Sequence, residues 1–141
     1  MLGTVAFALV AGFALVLLTG PSMYWRDRWR REARRQAEGK GVALLRYWLS
    51  AEQARQWDSH KEFDVVGSDT GTRYRIGFGT AMNVHELDSA GRAVIQWCFA
   101  PQGNLVVGDV LLAQKIALET MERQALAQAN RQTFRPLFGT A

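Results

Sequence analysis

The chain has 141 residues and a mass of 15.8 kDa, the size of one domain, which leaves no room for a second full one. Hydrophobic residues make up 48% of it and charged residues 21%, too apolar for wholesale disorder, and its single cysteine excludes an intramolecular disulfide framework or a cysteine-rich zinc module. Lys and Arg outnumber Asp and Glu by 17 to 13, and where that surplus lies carries the first functional information.

From Leu2 to Thr19 the sequence LGTVAFALVAGFALVLLT runs 18 residues without a charge, and the first charged side chain is Arg26. At about 1.5 Å per residue such a helix covers roughly 27 Å, close to the roughly 30 Å hydrocarbon core of a bilayer. A buried helix of a globular domain would carry a polar stripe, so residues 1–23 read as a transmembrane anchor. A cleaved signal peptide is the competing reading, but it needs Lys or Arg ahead of the apolar stretch and small residues ahead of the cut. No basic residue precedes Leu2, and a cut after Gly20 would have Leu18 just upstream and Pro21 just downstream. Thr4, Ala8 and Gly12 place small residues at every fourth position, a face through which two copies could pack.

Residues 24–41 form a basic juxtamembrane stalk. Arg26, Arg28, Arg30, Arg31, Arg34, Arg35 and Lys40 face only Asp27, Glu32 and Glu38, while charges balance from Gly41 to Ala141, so the whole net charge of +4 sits beside the apolar run. Basic residues flanking a span stay on the cytoplasmic side, which predicts the N-terminus outside and the bulk of the chain in the cytoplasm. Tyr24, Trp25 and Trp29 suit the interfacial aromatic belt, and each arginine beside an anionic leaflet is worth about 1 kcal/mol. The expected membrane-interface set is therefore Tyr24, Trp25, Arg26, Arg28, Trp29, Arg30 and Arg31, with membrane lipid as the partner. Asp27 with Arg31 and Arg28 with Glu32, each one turn apart, would equally support a solvated helix. An arginine-rich run and a pI of about 9.7 also fit nucleic acid, but a segment this close to a bilayer meets lipid phosphate first.

Gly39 and Gly41 around Lys40 predict a hinge that ends the basic helix. Beyond it Leu44, Leu45, Trp48, Leu49 and Trp57 recur at helical spacing. Ser50-Ala51-Glu52-Gln53 matches a capping box, so one helix should end near Leu49 and a second begin at Ser50. The period then shortens: Phe63–Val66, Tyr74–Phe78, Met82–Leu87 and Ala93–Phe99 read as short strands between turn-rich segments at 67–71, 79–80 and 88–91. No connection is long enough for a parallel crossover, so the four strands predict an antiparallel meander. Gly108-Asp109 opens a helix running to Asn130, with Asp109 as the expected N-cap and Leu112, Ile116, Ala113 and Ala117 as the stripes that cover the sheet. The tail 131–141 reads as a loose end despite Phe134, Leu137 and Phe138. The expected architecture is α+β: an N-terminal transmembrane helix and basic helical stalk, then a small antiparallel β-meander packed against helices over 42–130.

Thr70-Gly71, Tyr74-Arg75-Ile76, Asn83-Val84, Cys98-Phe99-Ala100-Pro101 and Gly108-Asp109-Val110-Leu111-Leu112-Ala113-Gln114-Lys115 together resemble the pattern of a small family of uncharacterised bacterial proteins. The resemblance covers about half of the chain, from about Leu49 to Glu122. It implies a domain unit and brings no activity, and the apolar run and stalk lie outside it; the expected location of the chain is the bacterial inner membrane, with the N-terminus outside.

Four constellations invite a chemical reading. Asp69-Thr70-Gly71-Thr72 resembles the active-site turn of aspartic proteases, where two aspartates share one proton, and Asn104-Leu105-Val106-Val107-Gly108 resembles the element that supports that turn. Gly67 and Ser68, however, stand where that family has an apolar strand, and a hairpin turn explains the same residues. Cys98 with His85 or His60 would make a thiolate and base, but it lies in an apolar run where cysteine is a small buried residue. His60, His85, Asp64 and Glu86 match no metal-ligand spacing, and Gly77-Phe78-Gly79-Thr80-Ala81-Met82 lacks the third glycine of a dinucleotide loop. No catalytic residue, cofactor or metal is assigned.

The expected function is a single-pass membrane-anchored accessory or adaptor protein with a cytoplasmic interaction domain and no catalytic activity, joined to a membrane-protein partner or to a second copy of itself. The alternatives are a membrane-tethered aspartic-type hydrolase using Asp69 in a dimer, and a lipid- or nucleic-acid-binding basic module. Strand alternation puts Arg73, Arg75, Glu86 and Trp97 on an open sheet face as the partner-binding set, with Tyr74, Ile76 and Cys98 beneath the helices.

Overall fold

The computed structural model describes residues 2–99, 103 and 105–133, and the side chains among them from Met23 onward. In chain order its elements are helices α1 (Leu2–Trp48) and α2 (Ala51–His60), strands β1 (Glu62–Val66), β2 (Arg73–Gly77), β3 (Val84–Leu87) and β4 (Ala93–Cys98), helix α3 (Val107–Gln128) and strand β5 (Asn130–Thr133). They form two compact units, the first ending at Ala37 and the second starting at Glu38.

The first unit is helical backbone, and its side chains from Met23 to Gln36 are exposed. Among the described residues no helix is long and apolar enough to cross a membrane. The expected span, Leu2–Thr19, falls on side chains outside those described, so it rests on the sequence alone.

The hinge expected at Gly39 and Gly41 does not form, because α1 continues through both glycines to Trp48. A glycine weakens a helix by only about 1 kcal/mol, and Gly41 has a packing reason to be there. A Cβ on Gly41 would come within 2.6 Å of Val106 Cγ2, and a Cβ on Gly108 within 2.1 Å of the Gly41 carbonyl carbon. The two glycines let α1 and the first turn of α3 touch backbone to backbone.

Within the second unit the capping box forms as expected: the Gln53 amide donates to Ser50 Oγ at 3.2 Å, and the Ser50 amide to Gln53 Oε1 at 3.1 Å. The strands make one antiparallel sheet in the order β1-β2-β3-β4-β5. The expected four-strand meander is therefore present, with a fifth strand added at the β4 edge. That strand takes Asn130 from the expected helix and Arg131 to Thr133 from the expected loose tail. Phe63, Val65, Tyr74, Ile76 and Val84 form the sheet side of the core, and Leu45, Trp57, Leu111 and Leu118 the helix side. Fully burying each such side chain is worth about 1.5–3 kcal/mol.

Helix α3 differs from expectation at its start and in its buried face. It begins at Val107, capped by Val106 rather than Asp109, and the Val107 amide donates to Glu38 Oε2 of α1 at 3.0 Å. Its buried stripe runs through Leu111, Lys115, Leu118 and Glu122, joined by Gln114 and Leu112, while Ile116 and Ala113 are exposed. Three polar residues, Gln114, Lys115 and Glu122, belong to the core face, which rotates the helix away from the purely apolar stripe.

The β4 faces are reversed relative to expectation. Ile76 pairs with Val84 and Val84 with Trp97, so Trp97 shares the core face and packs against the core, while Cys98 points to the opposite face. Tyr74 pairs with Glu86, which puts Glu86 on the helix side too. A one-residue slip flips every side chain of a strand, and Ala93-Val94-Ile95-Gln96-Trp97-Cys98 offers no alternation to fix the register.

Candidate functional site

The sheet face away from the helices concentrates polar side chains. Alternation places Asp64, Arg73, Arg75, His85, Gln96 and Cys98 there. Asp64 is the hub: it accepts from Arg75 Nε at 2.8 Å and from Arg73 Nη2 at 2.9 Å. Burial alone would raise the Asp64 pKa, but the two arginines outweigh it and hold the carboxyl below the usual aspartate range. The hydrogen bond to Asp64 likewise raises Arg75 against the effect of burial. Gln56, His60, Glu62, Asp64 and Arg75 line a cleft of about 330 Å³ at the β1 edge, and Gln56 Oε1 accepts the Asp64 amide at 2.8 Å. Burial pushes the His85 pKa down, and the ring lies 3.2 Å from Gln96 Nε2. The half-buried Cys98 thiol is free and shares the face with His85, whereas His60 sits at the end of α2.

The four residues expected to bind a partner are split between the two faces. Arg73 and Arg75 lie on the open face. On the helix side, Trp97 Nε1 donates to Glu86 Oε2 at 3.2 Å, and the Arg131 guanidinium stacks 5.9 Å from a Trp97 ring centroid. On α3, Ala113, Ala117, Met121 and Ala125 line, with Phe99, a mainly apolar groove of about 290 Å³.

The Asp69 turn is occupied by structure. Helix α3 kinks at Met121, whose φ and ψ are −148° and 44°, and the β1–β2 turn inserts into the broken ladder. The Ser68 amide donates to the Leu118 carbonyl at 3.0 Å, while the Glu122 and Arg123 amides donate to Ser68 Oγ at 3.3 Å and Asp69 Oδ2 at 2.9 Å. In return the Glu122 carboxylate accepts the amides of Asp69 and Thr70, both at 2.8 Å, the Thr70 hydroxyl at 2.5 Å and the Tyr74 hydroxyl at 2.7 Å. Asp69 thus caps the second segment of α3, and Glu122 caps the turn. Sequence reasoning missed Glu122 although a signal was present: it stands eleven residues after Leu111, on the same stripe as Leu118.

Other polar and glycine residues far apart in the chain also meet inside the second unit. The Asn83 and Gln114 side-chain amides exchange hydrogen bonds at 2.8 and 2.9 Å, both buried, Tyr74 reaches Glu122, and Gly108 touches Gly41. Among the described residues no group of three His, Cys, Asp or Glu side chains is placed to hold a metal ion. In the first unit Tyr24, Trp25 and Trp29 are 64%, 55% and 74% exposed, and Arg26, Arg28, Arg30 and Arg31 are exposed with them. No family model matches the chain, and neither a curated protein nor a solved structure does.

Proposed function

We propose that the chain is a single-pass membrane-anchored accessory or adaptor protein whose second unit is a cytoplasmic interaction domain without catalytic activity. The observation that carries this reading is the exposed aromatic and basic segment Tyr24 to Arg35 directly after an uncharged run of 18 residues. An aromatic belt followed by arginines suits the cytoplasmic boundary of a span. Support for an interaction domain comes from the open sheet face, where Arg73 is exposed opposite Val66 and Val94 is exposed on β4, and from the strand edges at β1 and β5. A membrane-protein partner or a second copy would pair with such an edge. The Asp69 carboxylate, the acid that a tethered hydrolase would use, is engaged by the Arg123 amide.

Alkaline extraction of membranes and a reporter fused after Ala141 test the anchor: the chain should stay in the pellet and the reporter in the cytoplasm. Release into the supernatant, or a mature chain starting near Pro21, would end the reading. Arg73→Gln should then reduce copurification of a partner from gently solubilised membranes, with the thermal midpoint lowered by only a few degrees because Arg75 still pairs with Asp64.

A further inference from the structure

Along the first unit, Tyr24, Asp27, Arg28, Arg31, Glu32 and Arg35 line a groove of about 300 Å³. With 3.6 residues per turn, Tyr24, Arg28, Arg31 and Arg35 share one stripe of α1, and Asp27 and Glu32 flank it on opposite sides. Arg26, Arg30 and Arg34 lie outside the groove. Three guanidinium groups spread over about 10 Å of helix suit a phosphodiester, which Arg recognises through paired N–H donors. The two carboxylates do not suit a purely anionic ligand, because like charges repel at this range. They do suit a ligand that carries a cation beside its phosphate.

We propose that this groove binds the phosphoethanolamine headgroup of a membrane lipid, with the phosphate against Arg28, Arg31 and Arg35 and the ammonium against Asp27 or Glu32. The proposal rests on the membrane anchor put forward above, since the groove opens at Tyr24, four residues after the neutral Gly20. A primary ammonium has three N–H donors for a carboxylate. A phosphocholine headgroup has none, and a phosphoglycerol headgroup has no cation. The arginines outside the groove supply the unselective attraction that any anionic leaflet exerts, so the two sets of arginines differ in selectivity and not in charge.

The full chain is inserted into bilayer discs of phosphatidylcholine containing equal fractions of phosphatidylethanolamine and phosphatidylglycerol, and the lipids retained after mild detergent exchange are counted by native mass spectrometry. The unsubstituted chain should retain phosphatidylethanolamine over phosphatidylglycerol by about fivefold, the effect of roughly one ion pair at a surface. Asp27→Asn with Glu32→Gln should reverse that preference. Arg28→Gln, Arg31→Gln and Arg35→Gln together should abolish retention of phosphatidylethanolamine and leave only the weak, unselective retention of phosphatidylglycerol that Arg26, Arg30 and Arg34 supply. Arg26→Gln, Arg30→Gln and Arg34→Gln, with the same change of charge, should keep the preference. Equal retention of the two lipids by the unsubstituted chain, or identical behaviour of the two arginine triples, overturns the groove as a site. Displacement of the retained lipid by a DNA duplex or by inorganic phosphate overturns it in favour of those ligands. A chain that fails to enter the discs refutes the anchor and the groove together, whereas an inserted chain without selectivity refutes the groove alone.

Discussion

Glu122 shows how a carboxylate becomes a core residue. It is 0% exposed, and burial alone would raise its pKa, but the hydrogen bonds from Thr70, Tyr74 and the amides of Thr70 and Asp69 outweigh that and leave it lowered. The folded form therefore gives up the proton more readily than the unfolded chain. Its contribution to stability is complete above the ordinary glutamate value of about 4.3 and is lost as pH falls through the folded value. Asp64, lowered by Arg75 and Arg73 against burial, acts in the same direction. Glu122→Gln should accordingly lower stability at pH 7 and flatten its decline between about pH 5 and pH 3, measured by urea unfolding across that range; an unchanged slope would separate Glu122 from the acid transition. Gly67 is bound to the same residue, because a Cβ there would lie 2.3 Å from the Glu122 carboxyl carbon. Gly67→Ala should cost about 1–3 kcal/mol in the parent chain and markedly less in a Glu122→Ala background, a coupling that a double-mutant cycle reads directly.

The elements were legible in the sequence to the extent that their signals are local. The capping box at Ser50 and Gln53 requires two side chains three residues apart, and it formed; the runs at Phe63, Tyr74, Val84 and Ala93 alternate or are apolar between turn residues, and they are strands. What escaped the sequence depends on distant partners. Gly39 and Gly41 read as a hinge because Gly108, which makes Gly41 necessary, is far along the chain. Asn130-Arg131-Gln132-Thr133 continues the polar composition of α3 and becomes a strand only because β4 offers an unpaired edge. The membrane-interface expectations fall on exposed side chains of the first unit, and the expected span falls on side chains outside those described. Gly108→Ala tests the close approach: with the Gly41 backbone 2.1 Å from the added carbon, α1 and α3 must separate. A loss of about 2 kcal/mol or more is expected, seen as a lower urea midpoint, and a neutral result would refute the contact.

At the scale of the molecule, all five strands pair with their sequence neighbours, so the sheet is closed at neither end and β5 is the only cover for the β4 edge among the described residues. Ending the chain after Gln128 would expose the backbone of Ala93 to Cys98 in an apolar strand, the kind of edge that invites pairing with other chains. Concentration-dependent association by light scattering is the expected outcome, and a monodisperse truncated protein would show that β5 protects nothing.

The interlocked turn between β1 and β2 also has a consequence for how this domain can vary in length. Hairpin loops ordinarily tolerate inserted residues, because they lie on the surface and bond mainly to themselves. The β3–β4 loop is of that kind: Asp88 Oδ1 accepts the amides of Ala90 and Arg92, both at 2.9 Å, and Asp88 pairs with Arg92, all within the loop. The segment from Gly67 to Thr72 instead supplies the backbone of α3 with one donor, to the Leu118 carbonyl, and two acceptors, to the Glu122 and Arg123 amides, so its length is fixed by a helix more than forty residues away. Two glycines inserted after Ala90 should leave the thermal midpoint within a few degrees, whereas the same insertion after Asp69 should lower it by about 10 °C or more, as expected when several buried hydrogen bonds are lost from a small domain. A peptide tag or a fused domain therefore belongs in the second loop, and among natural relatives of this chain the first is where gaps in an alignment should be rarest.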